Sequence, residues 1–120
     1  MTGPHAETLP VIDSERFFEV DIRVGRVISC EHFPQARRPA FRMTVDFGAL
    51  GTRTSSARLT DHYQPEQLVG TLVVAVVNLP PRQIGPLRSE VLVLGAYQHG
   101  SEAVVLLRPE IPCTPGDRIG

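Results

Sequence analysis

The chain has 120 residues, which is enough for one domain with a single hydrophobic core. Hydrophobic residues make up 42% of the chain and charged residues 21%, a globular composition that excludes wholesale disorder. No apolar run approaches the roughly 20 residues that a membrane span requires, and the first residues lack a basic region followed by an apolar stretch. We therefore expect a cytoplasmic protein that does not insert into a membrane.

All 12 basic residues are arginine, and lysine is absent from the sequence. Without lysine, the chain cannot form a Schiff base, carry biotin or lipoyl groups, or build a Walker phosphate loop. The two cysteines, Cys30 and Cys113, are too few for a disulfide framework and too far apart for a CxxC motif. Cys30 and His32 would share a strand face, but two ligands do not make a tetrahedral site. We expect neither a metal nor a cofactor.

The first 12 residues contain two prolines and no hydrophobic periodicity, so we expect a flexible N-terminal arm over 1–12 and a single domain over 13–120. A short helix is expected to begin this domain, with Asp13 or Ser14 as its N-cap.

Alternating patterns and short apolar runs predict six strands, with a bulge or bend at Gly25 in the first of them. A second short helix is expected over 65–69, beginning at a proline and closed by Gly70. Together these features predict an all-β fold, a small antiparallel barrel or sandwich with two small helices. The expected strands cover 20–31, 41–47, 52–57, 71–79, 91–94 and 103–107.

Three of these strands are apolar on both faces, at 72–77, 91–94 and 104–107. In a small antiparallel barrel only one face of each strand fills the core, so something must cover the other face. The helices and the arm of the same chain are one candidate. A second subunit is the other, because homodimer interfaces are the most apolar kind.

Charge is unevenly distributed along the chain. Residues 1–31 hold six acids and three arginines, whereas 32–60 hold five arginines and only Asp46 as an acid. If the second and third strands form a hairpin, Arg42 and Arg53 are expected to lie near each other. Such a patch suits phosphates or an acidic peptide, and the alternative is a solvated face whose arginines pair with acids elsewhere. The neighbouring arginines are Arg37, Arg38 and Arg58.

Catalytic patterns are sparse, so we expect no enzymatic activity. Ser55 and Ser56 lack a GxSxG motif, and nothing in the sequence requires His62 to approach them. Residues 78–90 carry two adjacent prolines, two arginines, a serine and a glutamate. They are expected to form a stiff loop, which either presents a ligand-binding surface or merely connects two strands.

Six segments in the same order closely resemble the CsaA secretion chaperones, and the resemblance covers nearly all of 13–120. These chaperones belong to a wider tRNA-binding-domain superfamily, which also supplies the appended domains of methionyl- and phenylalanyl-tRNA synthetases. The resembling segments are 18–25, 33–37, 45–48, 55–57, 74–82 and 89–95.

The resemblance implies an OB-fold barrel with short helical extensions and an export-related chaperone that binds unfolded precursor polypeptides. It also implies a homodimer, held in part by the helix near 14–19 and the tail from Ile111, with binding pockets beside the interface. The implied polar contacts are Arg37, Ser55, Ser56, Asn78, Arg82, Arg88, Ser89 and Glu90, to which the charge pattern adds Arg38, Arg42 and Arg53. The implied apolar peptide contacts are Phe33, Phe41 and Leu87.

The alternative is that the chain is a tRNA-binding module, in which the arginines bind the phosphates of the RNA. The loop at Ser89–Leu92 argues against it, because in the tRNA-binding relatives this loop continues with glycine and methionine, and because lysine is absent here. A secretion translocase component stays open as a further partner.

Overall fold

The computed structural model describes residues 7–120, whose main element is an antiparallel five-stranded sheet that curls into a nearly closed barrel. Two short helices, α1 (Ser14–Phe17) and α2 (Pro65–Leu68), accompany the sheet. The prediction of a small all-β OB-like barrel is confirmed. In chain order the strands are β1 (Ile22–His32), β2 (Phe41–Asp46), β3 (Thr52–Ala57), β4 (Leu72–Val76), β5 (Arg82–Ile84), β6 (Leu87–Ser89), β7 (Leu92–Val93), β8 (Gly95–Tyr97) and β9 (Val104–Leu106).

The barrel strands are ordered β3-β2-β1-β4-β7, and β5-β6 and β8-β9 form two separate hairpins. The long strand β1 pairs with β4 through its first half and with β2 through its second half, so it forms the centre of the sheet. No helix of the described residues is long and apolar enough to cross a membrane. Part of the expected arm, residues 1–6, lies outside the described residues, and 7–12 form neither helix nor strand.

The core lies inside the barrel and is filled by one face of β2 together with residues of β1, β4, β9 and α2. Phe41, Met43, Val45 and Phe47 are fully buried there, at the alternate positions that a half-buried strand predicts. The prediction of strand 52–57 is confirmed to the residue, whereas strands 71–79 and 91–94 are shorter than expected.

Gly25 is needed for packing and does not mark a bulge. The register of β1 against β2 shifts between Val27 and Ser29, so the predicted position of the bulge is wrong. A Cβ atom on Gly25 would lie 2.5 Å from Val45 Cγ1 and 2.7 Å from Phe47 Cε1, closer than real Cβ atoms approach. Glycine therefore lets two core side chains cross the face of β1.

The segment 80–90 is a hairpin rather than the stiff loop that its prolines predict. Strands β5 and β6 pair antiparallel with Ile84 opposite Leu87, and Gly85 takes a positive φ of 55° in the turn between them. Strands of three residues are too short to show a period-two pattern, which is why the sequence did not reveal them.

The C-terminal tail covers the outer face of β4 at one end of the barrel. It runs alongside the first half of β1, where the Ile119 amide donates to the Ile22 carbonyl at 2.8 Å. Ile119 also packs against the small cluster of Ile22, Val74 and Val76. The chain itself therefore covers β4, but the outward side chains near β7 and β9 stay uncovered, including Leu92 at 49% exposure.

Candidate binding groove

A groove of about 820 Å³ runs between the β5-β6 hairpin, the β1-β2 loop and the β7-β8 segment. Four arginines line it, and none of its lining residues within the described chain is a carboxylate. An apolar strip lines the same groove, so the groove offers both positive charge and an apolar surface. We call it the arginine groove. Its arginines are Arg37, Arg38, Arg58 and Arg82, and its apolar strip is Ile84, Leu92, Leu94 and Val104.

Buried neighbours hold the loop that carries Arg37 and Arg38. The Phe33 amide donates to the Ala40 carbonyl at 3.0 Å and closes the base of the loop, and both residues are buried. The two arginines are exposed at the tip of this closed loop. Because the base of the loop is anchored, its backbone loses less conformational entropy when a ligand binds than a free loop would.

No carboxylate between residues 7 and 120 lies within ion-pair distance of the four groove arginines. Like charges placed side by side repel each other, and a bound anion relieves that repulsion. The groove is thus electrostatically prepared for a ligand that carries negative charge or exposed carbonyl oxygens.

Strands β2 and β3 do form the expected hairpin, but it does not bring Arg42 and Arg53 into one patch. Arg53 lies opposite Val45 in the β2-β3 register, and Val45 is three residues from Arg42, so the two arginines point to opposite faces of the hairpin. Arg42 instead pairs with Glu31 across β1, with its Nε 2.8 Å from the carboxylate. Arg53 Nη2 donates to the Leu50 carbonyl at 3.4 Å. Neither arginine lines the groove.

Three of the predicted polar contacts close the barrel between β3 and the segment before β7. The buried Ser55 hydroxyl donates to the Val91 carbonyl at 3.1 Å, and the Ser56 amide donates to Ser89 Oγ at 3.1 Å. The Thr54 amide donates to Glu90 Oε1 at 3.0 Å. Ser55, Ser89 and Glu90 therefore serve the fold.

Two further predicted positions lie away from the groove. The Asn78 side chain joins the start of β1 to the end of β4, because it accepts from the Asp21 amide at 2.9 Å and donates to the Glu19 carbonyl at 2.8 Å. Arg88 is exposed on β6 but does not line the groove. Of the predicted polar residues, the groove brings together Arg37, Arg38, Arg82 and Ser56.

The predicted apolar peptide contacts are interior residues. Phe33, Phe41 and Leu87 are all buried, so their side chains are used by the protein's own core and cannot be reached by a peptide. The apolar strip of the groove, with Tyr97 beside it, forms an apolar wall in their place. Leu92, Leu94 and Tyr97 of this wall were not predicted, because they lie more than 30 residues from the arginine loop and no local pattern connects the two regions.

The described residues contain no arrangement that resembles a catalytic or metal centre. His62 Nε2 lies 2.6 Å from Gln98 Oε1, and the Ser55 hydroxyl is bonded to backbone carbonyls. No group of three or more histidine, cysteine or acidic residues within 7–120 is placed to hold a metal ion. Burial, together with the nearby Glu66 and Glu31, raises the pKa of Cys30 to about 11, which makes this thiol a poor nucleophile.

Comparison with known proteins agrees with the fold. The family described as "Putative tRNA binding domain" matches residues 22–118. The crystal structure of the chaperone CsaA from Bacillus anthracis superimposes with a TM-score of 0.87 at 43% identity, covering 92% of this chain and 100% of that one. CsaA from Picrophilus torridus gives a TM-score of 0.85 at 40% identity, with the same coverage.

Methionine–tRNA ligase 1 of Sorangium cellulosum is 38% identical over 110 residues, which cover 92% of this chain. The present chain spans about 15% of the length of that ligase, so the match is to one appended domain. Fold and family model together define the class, a tRNA-binding-type domain on a small OB-like barrel. Within this class, the chain belongs to the CsaA family.

Proposed function

We propose that this protein is a homodimeric, ATP-independent chaperone of the cytoplasm that binds unfolded polypeptide segments in the arginine groove. The observation that carries the proposal is that one groove joins a partly exposed apolar strip with four arginines that form no ion pair with a carboxylate of residues 7–120. The similarity to the two CsaA proteins, both of which are described as chaperones, supports it. A role for exported precursors, with a translocase component as partner, is supported by the resemblance to the secretion chaperones.

An unfolded segment carries both apolar side chains and hydrogen-bond acceptors, which complement the strip and the arginines of the groove. Its apolar side chains can cover Leu92, which is 49% exposed, and the neighbouring strip residues, and each square ångström of apolar surface removed from water contributes about 25 cal/mol. Its carboxylates and backbone carbonyls can accept hydrogen bonds from the guanidinium groups. Because neither contribution depends on a particular sequence, many segments can bind with moderate affinity.

The homodimer is supported by exposed apolar residues in the N-terminal segment. Val11 is 98% exposed and Phe18 of the α1 end is 58% exposed, with Leu9 and Phe17 close by in sequence. Ile111 in the C-terminal region is also exposed. Light scattering at 20 °C should give a dimer at micromolar concentration for the natural chain and a monomer for a Val11→Asp, Phe18→Asp variant. A monomeric natural chain would refute the dimer.

The binding proposal is tested by fluorescence anisotropy with a labelled, permanently unfolded protein such as reduced, carboxymethylated α-lactalbumin. We expect saturable binding that weakens by about threefold to tenfold in an Arg37→Ala, Arg82→Ala variant, because two solvent-exposed ion pairs of about 0.3–0.7 kcal/mol each are lost. Arg108→Ala is the matched control, since Arg108 is exposed but lies outside the groove. Unchanged affinity in the folded double variant would exclude the groove as the site.

A second candidate function, tRNA binding, is favoured by the family match and by the absence of lining carboxylates in the arginine groove. If four arginines replace counterions, the logarithm of the tRNA association constant should fall with the logarithm of salt concentration at a slope of about −3. Competition between tRNA and the unfolded polypeptide would show that both occupy one site.

A further inference from the structure

The arginine groove does not end at its apolar strip. A second cavity of about 590 Å³ adjoins it, and the two, which we together call the channel, share Arg38, Arg58, Tyr97 and Val104 as lining residues. The second cavity is otherwise lined by different residues, which come from the β1-β2 loop, the stretch after β3 and the β8-β9 turn. These are Pro39, Thr60, Asp61, Ser101 and Glu102.

The charge of the lining differs between the two cavities: the arginine groove has four arginines and, within residues 7–120, no carboxylate, whereas the second cavity has two arginines together with two carboxylates. Arg37 and Arg82 line only the first cavity, Arg38 and Arg58 lie at the junction, and Asp61 and Glu102 line only the second. Both carboxylates are exposed, and within residues 7–120 neither is within ion-pair distance of an arginine. Their charges are therefore available to an occupant of the second cavity.

A ligand of uniform charge fits only part of the channel. Each nucleotide of a nucleic acid strand carries a phosphate, and in the second cavity Asp61 and Glu102 offset the attraction that Arg38 and Arg58 exert on it. A polypeptide can instead place a carboxylate near the arginines, apolar side chains along the strip and a cation at the far end. Complementary charge at both ends also disfavours wrong partners.

We propose that the channel selects polypeptide segments with separated charges, in which acidic and apolar residues occupy the arginine groove and a lysine or arginine occupies the Asp61–Glu102 cavity. This inference rests on the proposed peptide-binding function and adds a selection rule to it. Asp61 and Glu102 are then specificity residues, because they act on the ligand's basic end and leave its apolar contacts unchanged.

The test uses two synthetic fluorescent peptides with two acidic residues, four apolar residues and two C-terminal basic positions. In one peptide these positions are lysine, and in the other they are acetyl-lysine, which has nearly the same shape but no charge. Each peptide is titrated with the natural protein, with an Asp61→Asn, Glu102→Gln variant, and with Glu110→Gln as the matched control. Glu110 is exposed and lies outside both cavities.

We expect acetylation to weaken binding to the natural protein and to the Glu110→Gln control by about threefold to tenfold, as two exposed ion pairs predict. The Asp61→Asn, Glu102→Gln variant should bind both peptides with affinities within twofold of each other. The variant should also bind polyuridylate more tightly than the natural protein does, because two repelling charges are gone.

An acetylation effect of equal size in the variant and in the natural protein would overturn the selection rule while leaving peptide binding intact. Equal affinity of the natural protein for both peptides would do the same. Failure of the natural protein to bind either peptide or the unfolded polypeptide would instead refute the proposed function itself. Melting temperatures of the variants within about 2 °C of the natural protein would show that the substitutions leave the fold unchanged.

Discussion

Replacing Glu90 by alanine distinguishes a structural glutamate from a ligand-binding one. Its Oε1 accepts the Thr54 amide at 3.0 Å, and its own amide donates to the Thr54 carbonyl at 2.8 Å. The Thr54 hydroxyl lies 3.0 Å from the same carboxylate but only 2.6 Å from the Arg88 carbonyl, so its single proton favours the carbonyl. Glu90→Ala thus removes one firm charge-assisted hydrogen bond at the barrel seam.

The expected cost is about 1.5–3 kcal/mol of unfolding free energy, the range for a hydrogen bond to a charged group whose partner is left unpaired. For a domain of this size, 1 kcal/mol corresponds to about 4 °C, so the melting temperature should fall by about 6–12 °C. Glu90→Gln keeps an oxygen acceptor and should lose less than half as much.

The change in melting temperature is measured by thermal unfolding followed by circular dichroism. Binding of the unfolded polypeptide is measured by fluorescence anisotropy at 20 °C. The folded Glu90→Ala protein should bind the unfolded polypeptide within twofold of the natural protein, whereas Arg88→Ala should change neither property. An unchanged melting temperature combined with lost binding would refute this reasoning and return Glu90 to the binding site.

Two further predictions concern the core of the barrel. Gly25→Ala should destabilise the protein by about 1–3 kcal/mol, because its Cβ would lie 2.5 Å from Val45 Cγ1; an unchanged midpoint in urea would contradict the close packing. The pKa of Cys30 is raised to about 11 from an ordinary value of 9.0. At pH 8 this thiol should therefore react with a disulfide reagent about a hundredfold more slowly than an unperturbed thiol. The rate is measured in a Cys113→Ser variant, in which Cys30 is the thiol that reacts. A reaction rate equal to that of free cysteine would contradict the burial of Cys30. Because the pKa of Cys30 is higher in the folded than in the unfolded chain, the contribution of the neutral thiol to the unfolding free energy is complete below about pH 9. It declines as the pH rises toward 11.

Local sequence patterns were sufficient to predict the helices and strands, but they were insufficient to predict which residues form the binding groove. Strand 52–57 and the start of the helix at Ser14 follow from residue types within a few positions, so the sequence predicted them correctly. Arg37, Arg38 and Arg82 were singled out for their charge and for the resemblance, and the structure brings them together. Leu94 could not be assigned to the same groove, because that assignment depends on where the chain bends after β7.

The strand register places residues of the same type, which lie close together in sequence, in different parts of the barrel. Arg42 and Arg58 belong to one basic stretch of sequence, yet Arg42 pairs with Glu31 while Arg58 lines the groove. Likewise, Ser55 and Ser56 are adjacent, but only Ser56 borders the groove, since neighbouring residues of a strand point to opposite faces.

By itself, the sequence determined the all-β class, the family and the set of arginines available for binding, because these depend on composition, short-range periodicity and ordered motifs. Only the tertiary structure decided which arginines share a groove, that β4 is covered by the tail, and that a cavity lined by Asp61 and Glu102 adjoins the groove. The physical reason is that contacts between segments far apart in sequence depend on strand register and chain bends. A shift of one residue in register exchanges the inner and outer faces of a strand, and a local pattern cannot specify it.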